Sequence, residues 1–540
     1  MAMLGGKALP KLQHGPQHGS VPSIGRSRVE SRYMNDTSAN WFGSWQTTLR
    51  DSQDDVQQAW TMAAARSIDS IHNSGWLSGA VDQASADTIG TGLRLNATPD
   101  AEALGWSPEY TRKFCRSVEK RWRTWSQNPL ECDARGKLTV AQMTDAAIRQ
   151  FFPYGEATAL LPSIRRRESA TTTKVLMLPP HRLSTENRPF EGLHQGVWLD
   201  ANGMPVAYRF RRRSPDGTET LVDFTARSRT GRPQVIHVFD GTPDQVRGIS
   251  PLTPVLLRTR QYDQLADATL TTALLQTIIA ATIKTTEVGD GAFDGLQPSS
   301  TDADGNVTPG SMGDVMDAYM EGKVAWWKNK SIDLGAKGRV AQLFPGEEFQ
   351  LHSAATPHDN YLPYSKSLLR EIARGIGITY EANTGDYEGA TYSSVRMSTS
   401  VMWPITLRRR HRIAVPFLNP IFAAWLEEEI ESGRQKFRGG IEHFRANRAA
   451  ATSAEWHGPA KPTADDHKAA KAATERLANN TSTLTYEMGE IGMDPETVFE
   501  QRAQERDMAL SYGLPDPYAP PPVPGAPAPA PAPDPELEDA

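Results

Sequence analysis

GISPLTPVLLRTRQYDQLADATLTTALLQTIIAATIK, residues 248–284, sets the frame in which the rest of the chain is read. Pro251 and Pro254 stand near its start, where a missing N–H and a fixed φ suit a first helical turn. Ser250 is placed to cap that turn. After Pro254 no Pro or Gly occurs until Gly289. Apolar side chains recur at Leu252, Leu256, Tyr262, Leu265, Leu270, Leu274, Ile278 and Ala281, mostly at helical spacing. A single helix through Lys284 would be on the order of 45 Å long at ~1.5 Å per residue and would need a partner along its length. Its second half is rich in Ala, Thr and Ile and nearly uncharged, which suits close packing against identical or similar helices. Leu256, Leu265, Leu270, Leu274 and Ile278 are the candidate packing positions. A buried core helix of a large domain is the competing explanation. Residues 264–283 also have the length of a membrane span, but Asp267, Gln276 and five threonines dilute it.

Upstream, residues 36–250 read as an α+β domain. Helices are expected at 51–73, 81–89, 110–127 and 138–152, the third anchored by Phe114, Trp122 and Trp125. Strands follow at 157–161, 174–178, 196–199, 205–210, 220–224 and 234–238. Asn202-Gly203 and Asp216-Gly217 mark hairpin turns among them. Residues 1–35 form a basic, Gly- and Pro-containing arm, which includes Arg26, Arg28 and Arg32.

Downstream, a polar Gly-containing insert follows the long helix. It is expected to hold a short helix at 312–321 and strands at 324–327, 331–334 and 339–344. A second helix spans 360–375. The loop 377–394, GITYEANTGDYEGATYSS, is dominated by hydroxyl and acidic groups. A third long helix, 395–431, holds Pro404, Pro416 and Pro420 and must be kinked or broken there. Its basic run Arg408, Arg409, Arg410 and Arg412 suits DNA, a subunit interface or a solvated helix face. Helices are expected again at 468–479, 485–489 and 495–512. From residue 514 a Pro- and Ala-rich tail runs to an acidic end, with the composition of an extended, disordered segment.

With 540 residues the chain is long enough for more than one packed unit. Its 42 Gly and 39 Pro suggest a loop-rich architecture, and a net charge of −6 argues against a generally basic, DNA-coating surface. Cys115 and Cys132 provide neither a disulfide framework nor zinc-ligand spacing, and a reducing cytoplasm is the default origin. No signal-peptide core opens the chain. Catalytic signatures are missing too: no phosphate-binding Gly-rich loop, no HExxH and no GxSxG. His237, His352 and His358 are scattered, and Gly375-Ile376-Gly377 reads as a helix end. The chain is therefore read as a non-enzyme without a cofactor or metal.

Four stretches together resemble the lambda-type portal proteins of tailed phages. VRGISPLTPVL (246–256) follows the strand VIHVF (235–239), and LFPGEEF (343–349) precedes the second helix. LREIARGIGITYE (369–381), TGDY (384–387) and YSSVR (392–396) form the third. Trp456, Lys468, Thr485, Gly492, Asp494, Glu505 and the pair Gly513-Leu514 form the fourth. Asp466-His467-Lys468 stands where the family often has Asp-Pro-Lys. The resemblance covers roughly residues 40–514, and the order and spacing of the motifs carry it.

It implies an α+β portal architecture with a mixed α/β wing, helical stem, α/β clip and helical crown. Residues 36–250 and 395–445 would be the wing, 251–285 and 356–376 the two stem helices, and 286–355 the clip. Residues 446–513 would be the crown and 514–540 a disordered tail. Residues 377–394 would be the tunnel loop, with Glu381, Asn383, Thr384, Asp386, Tyr387, Glu388 and Tyr392 toward DNA in the channel. The implied function is a homo-oligomeric ring, usually of twelve, at one capsid vertex of the virion. Its implied partners are double-stranded DNA, the terminase large subunit, the head–tail connector, and the major capsid and scaffolding proteins, with no membrane. A DNA-processing enzyme of the packaging machinery is the alternative class. It would need a Walker loop or a carboxylate cluster on strand ends. A membrane channel is the third and is disfavoured by the polar residues of 264–283.

Overall fold

The computed structural model describes residues 49–214, 216–278, 281–285, 299–301, 307–309, 321–322, 324–325, 328, 347–351, 359–462, 466–493 and 495–519. The chain divides into two units, Met1–Asp51 and Ser52–Ala540. Only residues 49–51 of the first are described, so the arm 1–35 and the Pro/Ala run from 520 onward lie outside the described residues, as does most of the insert.

The second unit opens with helices α1 (Ser52–Asn73) and α2 (Gly75–Ile89). The expected start of α2 at Val81 falls six residues late. Gly75 and Gly79 read as punctuation in the sequence, yet Leu77, Ala80, Val81 and Ala84 are buried on one face and draw the glycines into the helix. Strand β1 (Arg94–Ala97) precedes α3 (Pro108–Gln127). In α3 the Ser107 hydroxyl accepts from the Tyr110 amide (3.3 Å), Pro108 occupies the first turn, and Phe114, Val118, Trp122 and Trp125 are buried at helical spacing. Helix α4 (Val140–Tyr154) starts with a reciprocal Thr139–Gln142 capping box and ends at Gly155 in the left-handed region, φ 78°.

Two small antiparallel sheets follow. One has β2 (Glu156–Leu160) between β3 (Leu176–Leu178) and β8 (Val235–Phe239). The other runs β4 (Leu193–His194), β5 (Val197–Leu199), β6 (Pro205–Arg213), β7 (Glu219–Thr225). Asn202-Gly203 joins β5 to β6, and Gly217, at φ 87°, lies in the β6–β7 turn. On β6, Tyr208 and Phe210 are buried while their neighbours are not, the alternation expected of a half-covered strand.

The decisive stretch is not one helix. A 3₁₀ turn at Thr253–Val255 leads into α5 (Leu256–Ile278). Ala281–Thr285 is strand β9, paired antiparallel with β12 (Glu347–Leu351), Leu351 facing Ala281 and Glu347 facing Thr285. The β-branched Thr282, Ile283 and Thr285 favour the extended state once a partner strand is at hand. Between β9 and β12, β10 (Ser299–Thr301) pairs with β11 (Val307–Pro309). Val324 and Ala325, expected in a strand, are helical, whereas the expected elements at 331–334 and 339–344 lie outside the described residues.

The chain then forms α6 (Tyr361–Ile376), α7 (Tyr392–Arg409), a π-helical segment Arg410–Ala414, and α8 (Val415–Glu431). The expected disruption of the long helix is this π segment. The Val415 amide reaches back to the Arg410 carbonyl, immediately before Pro416, which has no N–H to continue the ladder. Strand β13 (Ala454–His457) pairs with β1, placing Trp456 opposite Leu95. Trp456 then meets Trp122 (5.7 Å between centroids) and Phe422 (6.3 Å) in the main core. Residues 454–457, which fall in the stretch 446–513 expected to form the crown, thus pair with β1 near the start of the described chain. Helices α9 (Asp466–Ala478), α10 (Leu484–Glu490) and α11 (Pro495–Ser511) follow. Residues 514–519, expected to open the disordered tail, fold back: Arg506 pairs with Asp516 (3.2 Å) and Arg502 stacks over Tyr518 (4.2 Å).

Candidate functional site

The β8-to-α5 junction is built around a buried carboxylate. Glu156, first residue of β2, accepts from Arg247 Nε (2.9 Å to each oxygen) and from the Gly248 amide (3.0 Å), and meets His237 Nε2 at 3.0 Å. Arg247 in turn donates to the carbonyls of Gln195 (3.1 Å), Ser184 and Pro180 (both 3.3 Å) and lies 4.4 Å over the Trp60 ring. Burial disfavours the Glu156 carboxylate, but the Arg247 charge and the His237 and Arg247 hydrogen bonds outweigh it and hold its pKa at about 2. One buried cluster therefore ties α1, both small sheets and the root of α5 together. Beside it, the Ser250 hydroxyl donates to the Phe152 carbonyl (2.7 Å) and accepts from the Leu252 amide (3.2 Å), but the 3₁₀ turn itself has no side-chain cap, so Ser250 is not the N-cap expected of it.

Glycines allow the close approaches. A Cβ on Gly248 would lie 2.1 Å from the Gly155 carbonyl oxygen. One on Gly375 would lie 2.2 Å from Val255 Cγ1, so Gly375 lets α6 close on the start of α5. Gly377, at φ 84°, ends α6 with its amide on the Ala373 carbonyl (3.0 Å). Arg258 on α5 pairs with Glu371 on α6 at 2.8 Å. Along α5, Leu256 packs against the core and Leu265 is half-buried, but Leu270 and Leu274 are 61% and 55% exposed. The Ile278 side chain lies outside what is described.

The loop after α6 is a folded knot rather than open coil. A single helical turn, Tyr380–Thr384, is capped by Thr379, which accepts from the Ala382 amide at 3.1 Å. Thr384 returns its hydroxyl to the Tyr380 carbonyl (2.9 Å) and accepts from the Asp386 amide (3.2 Å). Asp386 is held by Lys366 on α6 (3.0 Å) and by the Tyr380 hydroxyl (2.9 Å), and Lys366 also reaches Glu388 (3.2 Å). The Glu388 amide, then Lys366 and the Tyr380 hydroxyl, hold the Asp386 carboxyl at a pKa of about 2. Glu381, Asn383 and Thr384 are half-buried, whereas Tyr387, Glu388 and Tyr392 are exposed. Lys468 of α9 lies 5.0 Å over the Tyr392 ring. The structure thus brings six of the seven predicted loop residues into one surface feature and partly neutralises its acidity with Lys366, which the sequence analysis did not single out. Lys366 precedes Asp386 by twenty residues, so no local spacing links them.

The basic run separates into two pairs. Arg408 and Arg412 reach the surface and both bind Asp240, at 3.1 and 2.6 Å. Arg409 and Arg410 are buried. Arg409 donates to the Ile376 carbonyl at the end of α6 (2.5 Å) and to Ala84 and Thr88 of α2 (3.4 Å each), under the Phe152 ring. Arg410 donates to the Thr88 carbonyl (2.9 Å) and the Pro459 carbonyl (3.2 Å). The two arginines bolt α7 to α2 and to the base of the loop. Among the described residues there is no cluster of three or more metal-ligating side chains, and no helix is long and apolar enough to cross a membrane.

Residues 39–410, from before α1 to the π segment, match the model of the phage portal protein, lambda family. The chain belongs to that family. This portal subunit is 26% identical over 468 residues to the portal protein of Escherichia phage N15, covering 84% of this chain and 85% of that one. It is 25% identical over 469 residues to portal protein B of Escherichia phage lambda, covering 85% of each. Among solved structures it is similar to a chain in the neck of an empty GTA particle computed with C6 symmetry, at 12% identity and a TM-score of 0.43, covering 84% of this chain and 96% of that chain. At that score the likeness is loose, and membership rests on the family match. The matched region contains the Glu156–Arg247 cluster, the helix pair α5 and α6, and the loop that follows α6.

Proposed function

We propose that this portal protein assembles into a closed ring of identical subunits, twelve by the family's usual number, at one vertex of the capsid. Double-stranded DNA passes through the axis during packaging and ejection. The terminase large subunit docks on one end of the ring, and the head–tail connector takes that position later. Major capsid and scaffolding proteins surround it. Packaging energy comes from the ATP-driven terminase, so the ring's own role is mechanical. In this reading α5 and α6 are the stem, the insert between them the clip, residues 377–394 the tunnel loop, and residues 446–513, with α9–α11, the crown.

The observation that supports it most is the apolar surface a single subunit leaves uncovered along the hairpin. Leu257, Leu270 and Leu274 of α5 and Leu362 and Tyr364 of α6 are all more than half exposed. Leu270 and Leu274 lie one turn apart on the same face of α5, where neighbouring subunits packed side by side around a ring would cover them. Negative-stain imaging and native mass spectrometry of the purified chain should show a ring with a central hole. Leu270→Asp with Leu274→Asp should shift the mass toward the monomer. A wild-type chain that stays monomeric at every concentration would refute the reading.

A further inference from the structure

The loop between β2 and β3 carries three consecutive arginines, Arg165, Arg166 and Arg167, on the wall of a 630 Å³ cleft. The end of α8 and the turn beyond it, with Glu428, Glu431 and Arg434, contribute to the lining. Most of these charges are already engaged. Arg166 donates to the Asp133 carbonyl (3.3 Å) and to that of Ala134. Arg434 donates to Glu429 (2.7 Å) and to the Ala170 carbonyl (3.0 Å). Glu428 accepts from the Thr172 and Thr173 amides, both at 2.6 Å, and Glu431 pairs with Arg445 at 3.1 Å. Arg165 and Arg167 are exposed and have no ion-pair or hydrogen-bond partner among the described residues. The cleft therefore offers two unused guanidinium groups with both of its carboxylates already satisfied.

We propose that this cleft binds an acidic peptide, and that its occupant is the segment DPELEDA, residues 534–540, of this chain or of an adjacent copy. Asp534, Glu536, Glu538 and Asp539 put four carboxylates into six residues, matching the free guanidinium groups in charge and in paired hydrogen-bond geometry. Fifteen residues separate Ala519 from Asp534, a reach of up to about 45 Å at ~3.1 Å per residue. A duplex fits less well. A cleft of this volume admits a few side chains rather than a double helix.

The test uses the full chain with Arg167→Lys, which places an amine in the cleft for carbodiimide coupling to any carboxylate in contact. Digestion and mass spectrometry should find residue 167 joined to the 534–539 segment. The product should disappear when the four acidic residues are changed to Asn and Gln, and at about 1 M salt, where such contacts are screened. Mixing isotope-labelled and unlabelled chains assigns it to the same or an adjacent copy, either of which supports the proposal. Coupling of residue 167 only to Glu428, Glu431 or unrelated sites overturns it.

As a second readout, a fluorescein-labelled PAPDPELEDA peptide should bind the full chain that carries the neutralised tail. Binding should fall about tenfold or more when Arg165 and Arg167 are both changed to Ala. Equal binding to the two chains overturns the proposal. So does displacement by a short DNA duplex or inorganic phosphate as readily as by unlabelled peptide.

Discussion

Arg247 and Glu156 stand 91 positions apart and meet inside the fold, with Arg247 Nε 2.9 Å from both carboxylate oxygens. Both side chains are almost wholly withdrawn from water. Breaking such a pair from one side strands the other charge, at a cost of about 3–5 kcal/mol. Arg247→Met should therefore lower the denaturant midpoint sharply, read by tryptophan fluorescence. A midpoint equal to wild type would mean the pair contributes nothing to stability.

The same carboxylate sets a pH dependence. Glu156 is held at about 2, below the ordinary value of 4.5. A lowered carboxyl pKa adds stability that is complete above about pH 4.5 and fades as pH falls toward 2. Acid titration of the wild type should show a decline across that window. Glu156→Gln should be less stable at neutral pH and decline less steeply between pH 4.5 and 2.

Gly248 and Gly79 are predicted to respond in opposite directions to the same change. In Gly248→Ala the new methyl would sit 2.1 Å from the Gly155 carbonyl oxygen, and the backbone must move. Overpacking of this kind costs about 1–3 kcal/mol. Gly79 lies exposed in α2, and an added Cβ meets nothing within 4 Å. Gly79→Ala should stabilise by about 0.5–1 kcal/mol. Paired thermal melts give the comparison directly.

Within the basic run, position decides the effect. Arg409→Ala leaves the Ile376 carbonyl without its donor and empties a buried site, so a loss of at least about 2 kcal/mol is expected. Arg412 is half-exposed and shares Asp240 with Arg408, so Arg412→Ala should cost under about 1 kcal/mol. Similar losses for the two variants would contradict the division into buried and surface pairs.

The knotted loop invites a charge test. Glu381→Lys, Asp386→Lys and Glu388→Lys together remove its acidity and the hold of Lys366. In the proposed ring they would place cations beside DNA phosphate, where each contact resists sliding. Packaging in an in vitro motor assay should slow or stall; an unchanged rate would separate the loop from the channel. Lys366→Ala alone should speed proteolytic cleavage within 385–391 by freeing Asp386 and Glu388.

Much of the fold is legible in the residues because its signals are local. The alternation Tyr208, Phe210 and the Asn202-Gly203 turn announce a hairpin, and Phe114, Trp122 and Trp125 announce one face of a helix. The family motifs are legible for the same reason, as short strings in a fixed order. What the string could not supply is anything that depends on a partner distant in sequence. Residues 281–285 leave the helical pattern because a strand at 347–351 is there to pair with them. Arg408, Arg409, Arg410 and Arg412 divide between surface and interior because a helix turns about 100° per residue and α2 covers one side of it. Glu156 and Lys366 owe their roles to Arg247 and Asp386, whose proximity only the folded chain creates. Local periodicity and turn chemistry wrote the elements; burial and long-range charge pairing decided which of their residues carry the site.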